Sequence, residues 1–516
     1  MASRAGQVRP TLGAVAIAAA LGVVTLGTAA AVALQAGSFT LSPADWAALR
    51  FTVLQAALSA VLSCALAVPV ARALARRRFV GRGLLVMLMG APFLLPVIVA
   101  VLGLLAVFGR SGVFNDLLAL MGLPRLSIYG LHGVVLAHVF LNLPLATRMI
   151  LQGWQAIPAE RFRLAQSLSM GPGAVMRHLE LPMLRATLPG AAVAVFVICL
   201  TSFAVALTLG GGPGATTVEL AIYQALRFDF DPARAAALSA LQFVLCAGAV
   251  ALGWRALQAP GFGAGLGRRL TIPVPGGWRR MGDAVVIVLA ALFLLMPLGA
   301  VVARGVSGLG DLPPGLPSAL MRSVAVALAS TLLTTSAALV LALAVAARGS
   351  RLLEIAAMLP LAASALVLGT GLFLILRPWV RAEDVALPVT ILVNATLSLP
   401  FVYRLILPQA QAMQADFGRL AESLSLTGAA RLRWLVLPRL SRPLGFGAGI
   451  AAALSMGDLG VIMLFAGESG ATLPLYVHRL MGAYRMDAAA AAALILVAAS
   501  FALFALFDLW GRRVAS

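Results

Sequence analysis

One acidic residue stands alone in an apolar setting: Asp458 is the only charge between Pro443 and Gly467. A carboxylate at the centre of a bilayer costs roughly 2.5–3.5 kcal/mol on insertion scales, so it must face protein or water rather than lipid. Two readings are open. Either Asp458 lines a path and favours a cationic cargo, or it pairs with an arginine or a helix end. The other residues that might do chemistry offer less. Cys64, Cys199 and Cys246 lie in apolar runs with neither Cys-x-x-Cys spacing nor a neighbouring histidine, which marks them as packing residues. His132 and His138, six apart, fall on different faces of a helix, and His178 and His478 are remote from them, so no metal site is expected. The chain contains no nucleophile elbow, zincin motif or Walker A sequence. A membrane-embedded enzyme would need a nucleophile, an acid–base pair or a metal cluster, and none is apparent. Neither an enzyme nor a cofactor is expected.

The elements that must position Asp458 are membrane helices. Of the 516 residues 61% are hydrophobic and 11% charged, and the mean hydropathy is +1.01, too apolar for a chain whose solvent is water. About twelve charge-poor runs are each long enough to cross roughly 30 Å of hydrocarbon as a helix. The third run begins near Gly83 and the ninth near Ile355, with Pro96 and Pro360 early in them, placed either to kink those helices or to begin them. The fold class is therefore all-α and polytopic. The first run, from Thr11 to Leu34, exceeds the apolar core of a signal peptide and reads as a retained helix. The formal charge of +20 lies in short connections, not along one solvated face. With the N-terminus cytoplasmic, about 27 arginines fall inside and about 11 outside, as the positive-inside rule requires. Both termini are then cytoplasmic, and the membrane is a bacterial inner membrane.

The chain also repeats itself. Leu141–Leu184 and Leu397–Leu440 align without a gap at a constant offset of 256, with close to half the positions identical. Each copy follows the fourth span of its half, so both lie on the same side of the membrane as a parallel repeat. The organisation expected is a first half over 1–258 with its loop at 158–182, a Gly- and Pro-rich cytoplasmic linker over 259–282, and a second half over 283–516 with its loop at 414–438. In each loop Leu164, Ala165 and Leu168, or Leu420, Ala421 and Leu424, share a helix face. Gly171 or Gly428 supplies a turn, and a second short helix leads to Pro182 or Pro438. Two such elbows offer docking points to a two-fold partner. At the same offset Ser202 corresponds to Asp458, so the charge stands on one side only of a pseudo-two-fold path.

The loop pattern, a Leu-Ala-Gln/Glu-Ser-Leu-Ser helix, a turn and a closing Leu-Pro, resembles the EAA loop of binding-protein-dependent ABC importer permeases, and two copies resemble the fused, two-half members. The resemblance implies the type I importer permease fold. It also implies that the second short helix, roughly Gly171 to Arg177 and Thr427 to Arg433, couples to a cytoplasmic ATPase subunit, with Ala165, Ser169, Gly171, Arg177, Pro182, Ala421, Ser425, Gly428, Arg433 and Pro438 as coupling residues. The leading Glu of the family pattern is replaced by Arg163 and Arg419, and its central Gly by Ser169 and Ser425. LGGGPGATTVELAIYQALRFDFDPARAAAL (209–238), RRRFVGR (76–82), YGLHGVVLAHVFLNLPLATR (129–148), LSMGDLGVIMLF (454–465) and TLPLYVHRLMGAYR (472–485) extend the likeness to permeases of thiamine importers over nearly the whole chain. The resemblance implies import of thiamine or its phosphates by alternating access, with two ATPase subunits, a periplasmic thiamine-binding protein, the lipid bilayer and no nucleic acid as partners. The glycine-rich outer segment from Gly210 to Gly214 precedes Glu219, Asp229 and Asp231, which lie either near the docking surface for the binding protein or on a plain outer hairpin. The alternatives are a fused permease for ferric iron, which should lack the 210–236 pattern, and an ion-coupled secondary transporter, for which Asp458 alone is thin support.

Overall fold

A computed structural model of the chain describes residues 12–36, 41–89, 95–257, 277–467 and 470–515. The described residues contain no strand. Eleven of their helices are long and apolar enough to span a bilayer: α1 (Leu12–Gln35), α2 (Pro43–Arg76), α3 (Val97–Leu120), α4 (Leu131–Ala156), α5 (Pro172–Leu200), α6 (Pro232–Gly253), α7 (Arg280–Gly310), α8 (Leu316–Arg348), α10 (Ala386–Ser423), α11 (Gly428–Phe465) and α12 (Met486–Val514). The pair Arg351–Ala362 and Ala365–Leu376, bent by 94°, makes a twelfth, α9, between α8 and α10. Most of the linker expected over 259–282 lies outside the described residues.

Prolines mark two departures from the sequence reading, a later start of the third span and a break inside the ninth. The third span begins at Val97, not near Gly83, because Pro96 has no N–H to continue a helix and stands with extended ψ at the N-cap. A separate short helix, Arg82–Leu88, covers the first part of that run. In the second half Pro360 lies in the 3₁₀ turn that breaks α9, and Ser364 then caps the next segment by accepting from the Val367 N–H.

The spans are arranged with a pseudo-two-fold repeat. In the first half α2 packs against α4 and α5, and in the second α8 packs against α10 and α11. The first helix of each half lies against the other half: α1 on α8 and α9, and α7 on α2 and α3. These crossing helices are peripheral, each 22% buried over its most apolar window, whereas α4, at 72%, and α10 and α11, at 67%, form the centre. Both crossings close on a glycine. A Cβ on Gly103 of α3 would come 2.7 Å from the Pro297 carbonyl oxygen of α7, and one on Gly371 of α9 would come 2.4 Å from Thr28 Cβ of α1. In lipid, where apolar burial gives little net gain, such backbone approach supplies the dispersion contact that holds helices together.

Candidate functional site

The two repeated loops are built alike from position-specific chemistry. In the first, Pro158 interrupts the helical ladder after α4, and a separate helix, Ala159–Ser167, follows. Gln414 stands at the matching place in the second loop, and there α10 runs unbroken to Ser423. Both helices end in the same way. Met170 N–H donates to the Ala165 carbonyl and Ser169 N–H to that of Gln166, with Leu426 to Ala421 and Ser425 to Glu422 in the second copy. That Schellman pattern requires a left-handed residue, and Ser169 and Ser425 both have φ 51°. The left-handed turn therefore falls on the serines that replace the family's glycine. Gly171 is at φ −66°, while Gly428 is at φ 54°. A Cβ in this region costs on the order of 1 kcal/mol. Ser169→Gly and Ser425→Gly are each expected to stabilise the chain by about that much, read as a rise in the thermal unfolding midpoint of the detergent-solubilised protein.

After the turn, Pro172–Val175 and Gly428–Arg431 form single helical turns, each followed by a π turn, Met176–Glu180 and Leu432–Val436. Leu181 N–H reaches the Met176 carbonyl and Leu437 N–H that of Leu432, five residues back. Pro182 and Pro438 supply the reason: a proline ring clashes with the carbonyl four residues before it, and the wider turn relieves that contact.

The expected apolar face of each loop helix divides in two. Ala165 and Ala421, at 4% and 3% exposure, pack into the chain, whereas Leu164, Leu168, Leu420 and Leu424 are 53–64% exposed. Arg177, Arg433, Pro182 and Pro438 are exposed as well, and the Arg433 guanidinium stacks over Trp434, itself 68% exposed, at 5.2 Å. The result is two like, partly apolar exposed patches in matching places.

Behind these patches the halves differ. Glu180 is fully buried between Arg72, at 3.1 Å, and Arg76, both from α2. Arg77, next in sequence, pairs with Asp283 of α7 at 2.6 Å. The second half has Val436 in the place of Glu180, buried among aliphatic side chains. Sequence reading passes over Glu180, whose signal is its mismatch with Val436 inside an otherwise similar repeat.

Ser202 and Asp458 occupy equivalent helix breaks. α5 stops at Leu200 and a short helix resumes at Ala204; the helical run in α11 stops at Met456 and resumes at Gly460. The breaks adjoin across the pseudo-two-fold, for a Cβ on Gly460 would lie 3.9 Å from both Asp458 Oδ1 and Phe203 Cδ1. Asp458 immediately precedes the segment that resumes at Gly460 and faces the backbone N–H groups of Gly460, Val461 and Ile462, so a helix end, not an arginine, receives it. Its Oδ2 has no hydrogen-bond partner among the described residues.

Beyond the helix breaks, short helices Val218–Arg227 and Leu473–Gly482 are pinned in matching fashion. Thr52 Oγ1 of α2 accepts from Val218 N–H at 2.9 Å, and Ser323 Oγ of α8 from Leu473 N–H at 2.7 Å. Glu219, placed by sequence near an outer docking surface, is 1% exposed instead and faces Gln242 and Ser364. Asp229 remains at the surface and pairs with Arg234, which also holds Asp45. Between these helices lies a cavity of about 250 Å³ lined by residues of both halves, Tyr223, Gln224, Phe228, Met463 and His478 among them. The two sides sit some 250 positions apart, close to the repeat's own offset, and Leu207 and Met463 are equivalent positions of the two halves. A larger cavity, about 770 Å³, lies between α2, α4 and α7 and is lined by apolar side chains apart from His132.

No family model matches the chain. Curated relatives do. The thiamine transport system permease protein ThiP of Escherichia coli (strain K12) is 41% identical over 483 residues, covering 91% of this chain and 90% of the relative. ThiP of Brucella abortus (strain 2308) is 38% identical over 520 residues, 97% and 95% of the two chains. ThiP of Haemophilus influenzae is 32% identical over 460 residues, 87% and 85%. With a duplicated loop, paired helix breaks and spans that exchange between halves, and with this likeness over nearly its full length, the chain belongs to the family of thiamine transport system permeases.

Proposed function

We propose that this chain is the membrane channel of an ATP-driven importer that carries thiamine and its phosphates from periplasm to cytoplasm, working with two cytoplasmic ATPase subunits and a periplasmic thiamine-binding protein. The observation that carries the reading is the pair of exposed loop patches, one per half, repeated down to the φ of Ser169 and Ser425. A lipid-facing protein gains nothing from two such patches unless like surfaces of a partner meet them. The likeness to ThiP relatives selects thiamine over ferric iron as cargo. The halves over 1–258 and 283–516 rock about their shared centre, with the loops transmitting the motion and the two breaks opening and closing the path. Both termini and the linker over 259–282 are cytoplasmic, as the arginine distribution requires. In this scheme Ala165 and Ala421 seat the loop helices from behind, while Ser169, Gly171, Arg177, Pro182 and their counterparts Ser425, Gly428, Arg433 and Pro438 shape the exposed elbow.

Proteoliposomes holding the chain, its ATPase and its binding protein test this directly with labelled thiamine. Accumulation that needs ATP and all three components is expected; accumulation by this chain alone under an ion gradient would overturn the reading in favour of a secondary transporter. In this reading Asp458 and Ser202, at the two helix breaks, line the path, the carboxylate favouring the positive thiazolium. Asp458→Asn keeps the shape of the side chain at the helix end and should slow initial uptake severalfold, about 1 kcal/mol in the barrier, with an unchanged amount of protein in the membrane. An unchanged initial rate would leave Asp458 with the helix end alone.

A further inference from the structure

The outer cavity of about 250 Å³ is not needed to explain coupling to an ATPase. It opens immediately beyond the two helix breaks, since Ala206 and Leu207 follow the first and Met463 the second. Its volume suits one small ring system with a substituent. Tyr223 and Phe228 form an aromatic wall, edge to face with centroids 5.6 Å apart, and Phe203 stands 5.4 Å behind Tyr223. Gln224, on the same helix, contributes a side-chain amide with two donors and an acceptor. From the other half comes His478, whose Nδ1 is buried with no hydrogen-bond partner among the described residues. That helix lies outside the spans, and burial together with Arg479 holds the imidazole below its ordinary pKa range. A neutral imidazole protonated on Nε2 presents Nδ1 as an acceptor, and an orphaned buried acceptor is costly until a donor arrives.

We propose that this cavity is a cargo site for an aminated heteroaromatic ring, stacked against Tyr223 and Phe228, with its exocyclic amino group donating to His478 Nδ1 and a ring nitrogen paired with the Gln224 amide. Thiamine carries such a ring in its aminopyrimidine, so the inference deepens, and rests on, the transport reading above. Arg227 and Arg479 donate to the Ala466 and Gly467 carbonyls nearby and act on Tyr223, while the Glu383 carboxylate stands against Gly467.

The test uses the complete importer in proteoliposomes with a photoreactive azido derivative of thiamine, followed by mapping of labelled peptides. Label is expected within 220–228 and 473–482; label confined to other peptides, or none on this chain while thiamine is still transported, overturns the site. Independently, Phe228→Ala and His478→Leu should each lower thiamine moved per ATP hydrolysed by roughly fivefold, the loss expected for one stacked ring and for one hydrogen bond respectively, with ATPase activity still stimulated by the binding protein. An unchanged transport-to-ATPase ratio in both loss variants also overturns the site. Failure of the unaltered importer to accumulate thiamine is read separately and falls on the transport reading, while the labelling pattern still decides whether an aminopyrimidine enters the cavity.

Discussion

Leu164→Glu combined with Leu420→Glu is expected to abolish ATP-driven uptake while leaving the chain folded in the membrane. Both leucines are exposed, at 59% and 53%, on the cytoplasmic patches, so a carboxylate there stays in water in the isolated chain and disturbs little. Once an ATPase subunit covers the patch, the same carboxylate must be desolvated against an apolar surface, which costs several kcal/mol unless a partner cation is supplied. Each 1.4 kcal/mol is tenfold in affinity, so two charged patches should reduce ATPase association, and uptake with it, by at least about a hundredfold. Co-purification of the ATPase and uptake in proteoliposomes measure both. Ala165→Glu is a different experiment: at 4% exposure the alanine has no room, and loss of the whole protein is the expected result. Normal uptake by the double leucine variant would place the docking surface elsewhere.

Glu180→Val should destabilise the first half by about 3–5 kcal/mol, because it leaves Arg76, whose side chain is 9% exposed, buried without its counter-charge. The readout is the thermal unfolding midpoint of the chain in nanodiscs, together with proteolysis of the 158–182 loop. Glu180→Val with Arg76→Leu removes both charges and copies the apolar solution already present at Val436. That pair should recover most of the loss, since an apolar replacement of a buried ion pair is often neutral. If the single variant unfolds like the unaltered chain, the ion pair contributes nothing net, and the contrast between Glu180 and Val436 is without consequence for the two loops. Because the coupling elbow of the first loop leads straight into Glu180, a partial loss of stability there should also lower uptake more than it lowers the amount of protein.

The spans are legible in the sequence because their signal is local. A charge-poor run long enough to cross hydrocarbon must satisfy its own backbone hydrogen bonds, and a helix does so without help from distant residues. The duplicated loops are equally legible, since each is written in about 25 consecutive residues whose turns and prolines act on near neighbours. Even the left-handed turn at Ser169 and Ser425 is marked by the position of the family's glycine, though residue type alone points to Gly171 and Gly428. Prolines set the finer boundaries: Pro96 delays the start of the third span, and Pro158 separates one loop helix where Gln414 leaves the other continuous. What the tertiary structure alone decided are contacts between residues far apart in the chain. The exchange of α1 and α7 between halves depends on Gly103 meeting Pro297 and Gly371 meeting Thr28, and small residues are common throughout so apolar a sequence. The division of each loop face into buried alanines and exposed leucines depends on what lies behind the helix, which periodicity does not encode. The outer cavity joins Tyr223 to His478 only because two pseudo-equivalent helices, pinned by Thr52 and Ser323, bring their inner faces together across the interface of the halves.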